Sequence, residues 1–230
     1  MSWDPVWEDV FSQYAWGKYP GEELIRFVAR NFYRAPDRRQ VRLLEVGCGP
    51  GANLWFMARE GFSVYGNDGS ATAIAQARTR LDSECPGWFG ELLTGDIATI
   101  PFGDCFFDAV IDNEVVYCNS FEQSRDIYRE MARVTRPGGL LFCRTFASGS
   151  WGDGTGENVG HNAWLTAEGP QHNKGYSRFT ELGELEQLMA GFQLDTIELL
   201  TCTMGGRRHE NREWIVTGSK GQPDRTACVP

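Results

Sequence analysis

Leu43-Leu44-Glu45-Val46-Gly47-Cys48-Gly49-Pro50-Gly51 is a short apolar run that breaks into three glycines at alternate positions. The run reads as a buried strand, and glycines directly after it let the backbone turn sharply and approach a ligand closely. Helix-forming residues follow at once, Asn53-Leu54-Trp55-Phe56-Met57-Ala58-Arg59, so the segment reads strand, glycine loop, helix. A helix amino terminus behind such a loop is where a doubly wound α/β sheet holds a nucleotide-type ligand. A diphosphate-binding loop prefers Gly-x-Gly-x-x-Gly. Here the spacing is Gly-x-Gly-x-Gly, one residue tighter, with the acid Glu45 two residues before the first glycine. An acid there suits a positively charged ligand better than a diphosphate.

Outward from this loop, strands and helices alternate. Strands are expected at about 41–46, 62–67, 91–95, 106–112 and 139–145, with helices near 52–60, 70–82, 121–135 and 180–191. Alternation of this kind implies a parallel sheet with helices on both faces. Phe192–Thr203 and Glu213–Gly218 also read as strands, yet only about ten residues separate them. That gap is too short for a helical crossover, so the two are expected to pair antiparallel. Residues 1–36 are rich in aromatics, and Leu24, Ile25, Phe27, Val28 and Phe32 share one face of a helix over 22–32. Residues 146–178 are rich in Gly, Asn and Ser but carry Trp151, Trp164, His161, His172 and Tyr176, which favours a lid over a disordered segment. The expected organisation is a single domain over 1–220, capped by 1–36 and by the 146–178 insert, with a flexible tail over 221–230.

Composition narrows the class. At 230 residues the chain has ample length for one core. No apolar run reaches the roughly 18–20 residues needed to cross a bilayer, and Met1-Ser2-Trp3-Asp4-Pro5 does not open a secretory signal. Seven cysteines occur without a Cys-x-x-Cys pair, which argues for reduced thiols in a cytoplasmic protein and against a disulfide frame or a metal site. A net charge of −9 argues against broad affinity for nucleic acid.

Four blocks in order resemble the class I S-adenosylmethionine-dependent methyltransferases, covering roughly residues 41–145. They are Glu45-x-Gly47-x-Gly49-x-Gly51; Val64-Tyr65-Gly66-Asn67-Asp68-Gly69-Ser70; Gly95-Asp96-Ile97; and Phe107-Asp108-Ala109-Val110-Ile111, followed by Arg136-Pro137-Gly138-Gly139. A glycine triplet alone is weak; the four together are specific. The resemblance implies a Rossmann-like sheet of about seven strands, mostly parallel with an antiparallel carboxyl-terminal pair. It implies S-adenosylmethionine as methyl donor, S-adenosylhomocysteine as product, and a small-molecule acceptor methylated at oxygen or nitrogen. A methyltransferase of protein or RNA is the alternative, and a nicotinamide-dependent oxidoreductase a further one. The tighter glycines, Gly95-Asp96-Ile97 and the terminal strand pair disfavour the last, as the intact donor blocks disfavour a binding protein without turnover.

Each block also has a physical reading. Asp68 at the end of the second strand can accept both ribose hydroxyls, or cap a helix over 70–82, a role that Ser70 can fill instead. Asp96 can accept the adenine amine while the Ile97 amide donates to the ring, or it is an ordinary turn residue. Glu45 either orients the methionine end or ties strand to loop, and Cys48 reads as a small buried side chain. Gly69 and Asn113 complete the expected donor contacts. Many relatives carry a Glu-His or His-His pair where this chain has Tyr117-Cys118, which removes a histidine base at that point. Glu114, Tyr117, His161 and His172 are then the candidates for a base, each with a bland alternative: a structural acid, a packed ring, or free loop histidines. Tyr14, Trp16, Tyr19, Tyr117 and Trp164 are the aromatic candidates for the acceptor, where rings suit a flat or cationic group and shield it from water.

Overall fold

The computed structural model describes residues 3–222. Seven strands form the main sheet: β1 (Arg42–Val46), β2 (Ser63–Asp68), β3 (Phe89–Thr94), β4 (Phe107–Asn113), β5 (Thr135–Phe146), β9 (Gln193–Met204) and β10 (His209–Ser219). Their order is β3-β2-β1-β4-β5-β10-β9, with the first five parallel and β10 antiparallel to both its neighbours. This is the expected doubly wound sheet with its antiparallel carboxyl-terminal pair. The chain reverses its direction of travel across the sheet at β1, between β2 and β4. A crevice therefore opens beyond the carboxyl ends of these strands, where such sheets bind ligands.

Burial explains why β1 is nearly all apolar. Helices cover both sheet faces, so adjacent residues of one strand enter different cores. Leu43 joins a core with Phe27, Val28, Leu54, Met57 and Leu81, which come from α2 (Glu22–Phe32), α3 (Ala52–Arg59) and α4 (Ala71–Glu84). Leu44 joins the opposite core with Ile127 and Met131 of α5 (Phe121–Val134) and with Leu185 and Leu188 of α6 (Leu185–Leu188). Each fully buried leucine contributes roughly 1.5–3 kcal/mol. Helix starts are set by short polar side chains: Ser70 Oγ accepts from the Ala73 amide at 3.0 Å, and Ser120 with Gln123 forms a reciprocal capping box on α5.

Three elements depart from expectation. The helix expected over 180–191 shrinks to a 3-10 turn at Leu182–Glu184 and the single turn of α6, because Gly183 and Gly191 interrupt it and Thr180 pairs with Ala147. A side chain at Gly191 would lie 2.5 Å from the Ala132 Cβ, so the close approach to α5 needs glycine. Strand β5 begins at Thr135 and absorbs Arg136-Pro137-Gly138-Gly139 through an irregularity opposite β4. Strand β10 begins four residues earlier than expected, at His209, and meets β9 across Gly205–Arg208, where Gly205, Gly206 and Arg207 have positive φ.

The 146–178 insert is not one long loop. It holds a three-stranded antiparallel sheet, β6 (Glu157–Gly160), β7 (Ala163–Leu165) and β8 (Ser177–Arg178). Arg178 anchors it: 1% exposed, its guanidinium donates to Thr180 Oγ1 at 3.0 Å and Ser124 Oγ at 3.2 Å. The amino-terminal segment contributes a helix, α1 (Val6–Gln13), that packs along α4. There Glu8 accepts from the Ser70 and Thr72 hydroxyls, and Gln76 Nε2 donates to the Phe11 carbonyl at 3.0 Å. Of the tail expected over 221–230, residues 223–230 lie outside the described residues.

Candidate active site

A cavity of about 440 Å³ opens beyond the carboxyl ends of β1 and β4. Its floor is the glycine loop. Gly47, Gly49 and Gly51 have φ of +59°, +50° and +79°. A side chain at Gly47 would lie 2.2 Å from Val115 Cγ1, and one at Gly51 2.9 Å from the Ala77 Cβ, so both space and dihedral demand glycine there. Gly51 caps α3 with no side chain in the way, and Asn53 in the first turn turns back to Glu45, donating from Nδ2 to Oε1.

Glu45 is 3% exposed, and its second oxygen, Oε2, is buried with no hydrogen-bond partner among the described residues. Desolvation is the main force on it, pushing the carboxyl up to about 8; the Asn53 hydrogen bond opposes this, while the nearby Asp68 and Asp112 reinforce it. Asp68, 7% exposed, joins loop to strand: Oδ2 accepts from the Gly49 amide and Oδ1 from the Ser70 amide, each at 2.8 Å. Burial raises its carboxyl pKa and the two amides work against that rise. Each carboxylate oxygen retains a further lone pair for a ligand hydroxyl.

Two segments roof the cavity. From the amino terminus, the Trp3 ring lies on Gly69, where a Cβ would sit 2.3 Å from it, and Trp7, Phe11 and Trp16 form a mutual cluster with ring centroids 5.4–5.8 Å apart. From the insert, Lys174 Nζ lies 5.3 Å from the Trp16 ring centre, and a Cβ at Gly175 would sit 2.5 Å from an Asp4 oxygen. Gln171 accepts from the Tyr117 hydroxyl at 2.7 Å. The far wall is polar. Glu114, directly after β4, sits at φ +61°, a strained conformation for a non-glycine residue costing on the order of 1–3 kcal/mol. Its carboxylate lies 3.0 Å from Arg144 Nε, and Arg144 Nη2 lies 2.6 Å from Glu213 Oε2.

Most expected residues meet here: Glu45, Gly47, Gly49, Asp68, Gly69, Ile97 and Asn113 line the cavity, as do Glu114, Tyr117, Trp16 and Tyr19. Gly51 and Ser70 stand just behind the wall as helix caps. Asp96, half-buried, accepts from the Ala98 amide at 3.0 Å, and its neighbour Ile97 is the one on the wall. Four candidates are not on the wall. Tyr14 is 66% exposed. Trp164 packs against the Tyr117–Phe146–Phe179 cluster and does not itself line the cavity. His161 is exposed beside Glu184 and edge-on to Phe121, and the ring of His172 is taken up by the Thr166 carbonyl at 2.8 Å. Trp3, Trp7 and Phe11 line the cavity unforeseen, although Trp7 and Phe11, four residues apart in α1, have the spacing of one helical face. Arg144, Lys174 and Glu213 also line it, and no local signal marks them.

A doubly wound sheet with an acid-lined crevice over a glycine loop defines a nucleoside-binding α/β protein. Residues 44–143 match the model of a methyltransferase domain. The chain is 32% identical over 168 residues to a malonyl-[acyl-carrier protein] O-methyltransferase of Enterobacter lignolyticus, an alignment covering 72% of this chain and 61% of the relative. It is 36% identical over 125 residues to a ubiquinone biosynthesis O-methyltransferase of Sinorhizobium medicae, covering 51% and 48%. The chain thus spans about half to three-fifths of the length of these relatives. A crystal structure of a SAM-dependent methyltransferase from Methanosarcina mazei shares the fold at TM-score 0.67 and 20% identity, covering 83% of this chain and 96% of that one. The methyltransferase-domain match, these relatives and the shared fold together support the class I S-adenosylmethionine-dependent methyltransferase family for this chain. The residues present fit the donor of that family: a buried carboxylate oxygen without a partner suits an ammonium group, and a glycine floor admits close approach. No helix among the described residues is long and apolar enough to cross a membrane.

Proposed function

We propose that the chain transfers the methyl group of S-adenosylmethionine to an oxygen or nitrogen of a small-molecule acceptor. The observation that carries this reading is Glu45, which lines the cavity beside the glycine loop and keeps a buried oxygen with no hydrogen-bond partner among the described residues. A diphosphate would place its charge against that acid, whereas a cationic amino-acid moiety is stabilised by it. When bound, the donor supplies a methyl group on a good leaving group, so the protein's work is alignment and exclusion of water. In this reading Glu45 ionises opposite the ammonium, the Gly47–Gly51 backbone carries the methionine end, and Asp68 accepts the ribose hydroxyls. Asp96, Ile97, Gly69, Ser70 and Asn113 hold the adenosyl remainder. The aromatic roof, with Trp16 and Tyr19 among its rings, shields the reacting centre from water, and residues 146–178 with the amino-terminal segment act as its lid over a single domain.

The named relatives act on an acyl-carrier protein and in ubiquinone biosynthesis, so an acceptor delivered on a carrier protein is the second reading. The free thiols among the described residues support a cytoplasmic site of action. Calorimetry tests the central claim. S-adenosylhomocysteine is expected to bind and NAD is not, and Asp68→Ala is expected to weaken S-adenosylhomocysteine at least tenfold while retaining a cooperative thermal transition. NAD binding in place of S-adenosylhomocysteine overturns the reading, and an unchanged dissociation constant in Asp68→Ala removes Asp68 from the site.

A further inference from the structure

Beyond the glycine loop, three strands build a second polar group on the same wall. Glu114 follows β4, Arg144 lies in β5 and Glu213 in β10, and all three line the cavity. Arg144 sits between the acids, with Nε 3.0 Å from Glu114 Oε1, and with Nε and Nη2 donating to Glu213 Oε2 at 3.0 and 2.6 Å. The Glu213 carboxyl is close enough to raise that of Glu114, and two carboxyl groups can hydrogen-bond to each other only when one of them holds a proton. Like charges this close do not both ionise readily, and one guanidinium does not neutralise two carboxylates. The left-handed backbone of Glu114 is held in place by its own N–H, which donates to the Arg144 carbonyl at 2.8 Å. Strain of this kind persists where surrounding structure fixes it, and it clusters at functional sites. The charged groups acting on the pair come from every side: Asp112 from β4, Lys174 from the insert, and Glu23 from α2 through Arg144. Because two acids already match Arg144, this wall offers hydrogen-bond acceptors instead of an anion site.

We propose that Glu114 and Glu213, clasped by Arg144, act as one proton-accepting pair facing the acceptor, and that the site therefore takes an acceptor presenting O–H or N–H and rejects a carboxylate. The proposal rests on the methyl-transfer reading. The acceptor's oxygen or nitrogen lone pair forms the bond to the methyl carbon as the carbon–sulfur bond breaks, and that electron pair leaves with sulfur. The O–H or N–H proton passes to the doubly ionised pair, which becomes the singly protonated, hydrogen-bonded pair; its later loss to solvent restores the starting state. Desolvation, reinforced by the hydrogen bond to Glu213, pushes the Glu114 carboxyl up to about 8, against the attraction of Arg144.

The test uses the full chain saturated with S-adenosylhomocysteine. Benzyl alcohol, aniline and benzoate serve as ring-matched probes in NMR titrations from pH 6 to 9, with carboxyl-carbon titration of Glu114 in parallel. Benzyl alcohol and aniline are expected to bind at least tenfold more tightly than benzoate, with affinity rising through about pH 8. Glu114→Gln is expected to remove that rise, and Glu213→Gln to return the Glu114 titration toward the ordinary carboxylate range. Both variants are expected to bind S-adenosylhomocysteine as the parent does. Benzoate binding as tightly as benzyl alcohol, failure of the hydroxyl and amine probes to bind, or a Glu114 titration unmoved in Glu213→Gln overturns the proposal. Failure of the parent chain to bind S-adenosylhomocysteine falls instead on the methyl-transfer reading.

Discussion

Glu45 links the pH dependence of stability to the proposed binding of a cationic ligand. Its folded pKa, raised to about 8, lies above the unfolded value of roughly 4.3, so the folded chain holds a proton that the unfolded chain releases. That contribution is complete below about pH 4.3 and is lost as pH rises through about 8. The free protein is thus expected to show a falling melting temperature between pH 6 and 9, with Glu114 adding to the slope in the same direction. A cationic partner reverses the balance by favouring the ionised carboxylate. At pH 7 S-adenosylhomocysteine is expected to release close to one proton per site, measured by calorimetry in buffers of different ionisation enthalpy, and Glu45→Gln is expected to abolish the release. Equal heats across buffers in the parent chain would show that Glu45 does not meet the ligand's charge. Gly47→Ala tests the floor of the site: its φ of +59° and the 2.2 Å approach to Val115 predict a loss of about 1–3 kcal/mol and of ligand binding. At this scale the sequence was highly legible. The glycine spacing, Glu45 and Asp68 act through their own backbone and near neighbours, whereas the pairing of Arg144 with Glu213 spans 69 residues and leaves no local mark.

Helices and strands show the same division. Ser120 and Gln123 form a capping box visible as Ser-x-x-Gln, and the start of α5 matched expectation to the residue. Ser120→Ala is expected to cost about 1 kcal/mol by denaturant titration, without changing donor affinity. The helix expected over 180–191 is cut to short turns because Gly183 and Gly191 weaken it and the Ala147–Thr180 bridge ties up its start. Helix α1 is joined to α4 by Glu8 with Ser70 and Thr72, and the insert reaches Trp16 through Lys174. If these two segments form the lid, amide exchange over residues 5–16 and 170–176 is expected to slow when S-adenosylhomocysteine binds, while exchange in β1 and β4 stays unchanged. Uniform protection throughout the chain would instead indicate global stabilisation.

In the molecule as a whole, the two cores on either face of the sheet keep the crevice open at the strand ends. Leu44 is fully buried in the α5 side, so Leu44→Ala is expected to destabilise by about 2–5 kcal/mol. Ligand at a hundred times its dissociation constant is expected to restore about 2.7 kcal/mol, read as a rise in melting temperature. The sequence by itself determined the alternating α/β order, the parallel sheet, the antiparallel last pair and the glycine loop. These follow from periodicity, glycine dihedrals and capping, which are local interactions. Only the tertiary structure decided which aromatics roof the cavity, that His161 and His172 stand away from it, and that Glu114, Arg144 and Glu213 meet. Those outcomes depend on strand order and on where the insert folds back, and side chains distant in sequence meet only once the sheet has set their separation.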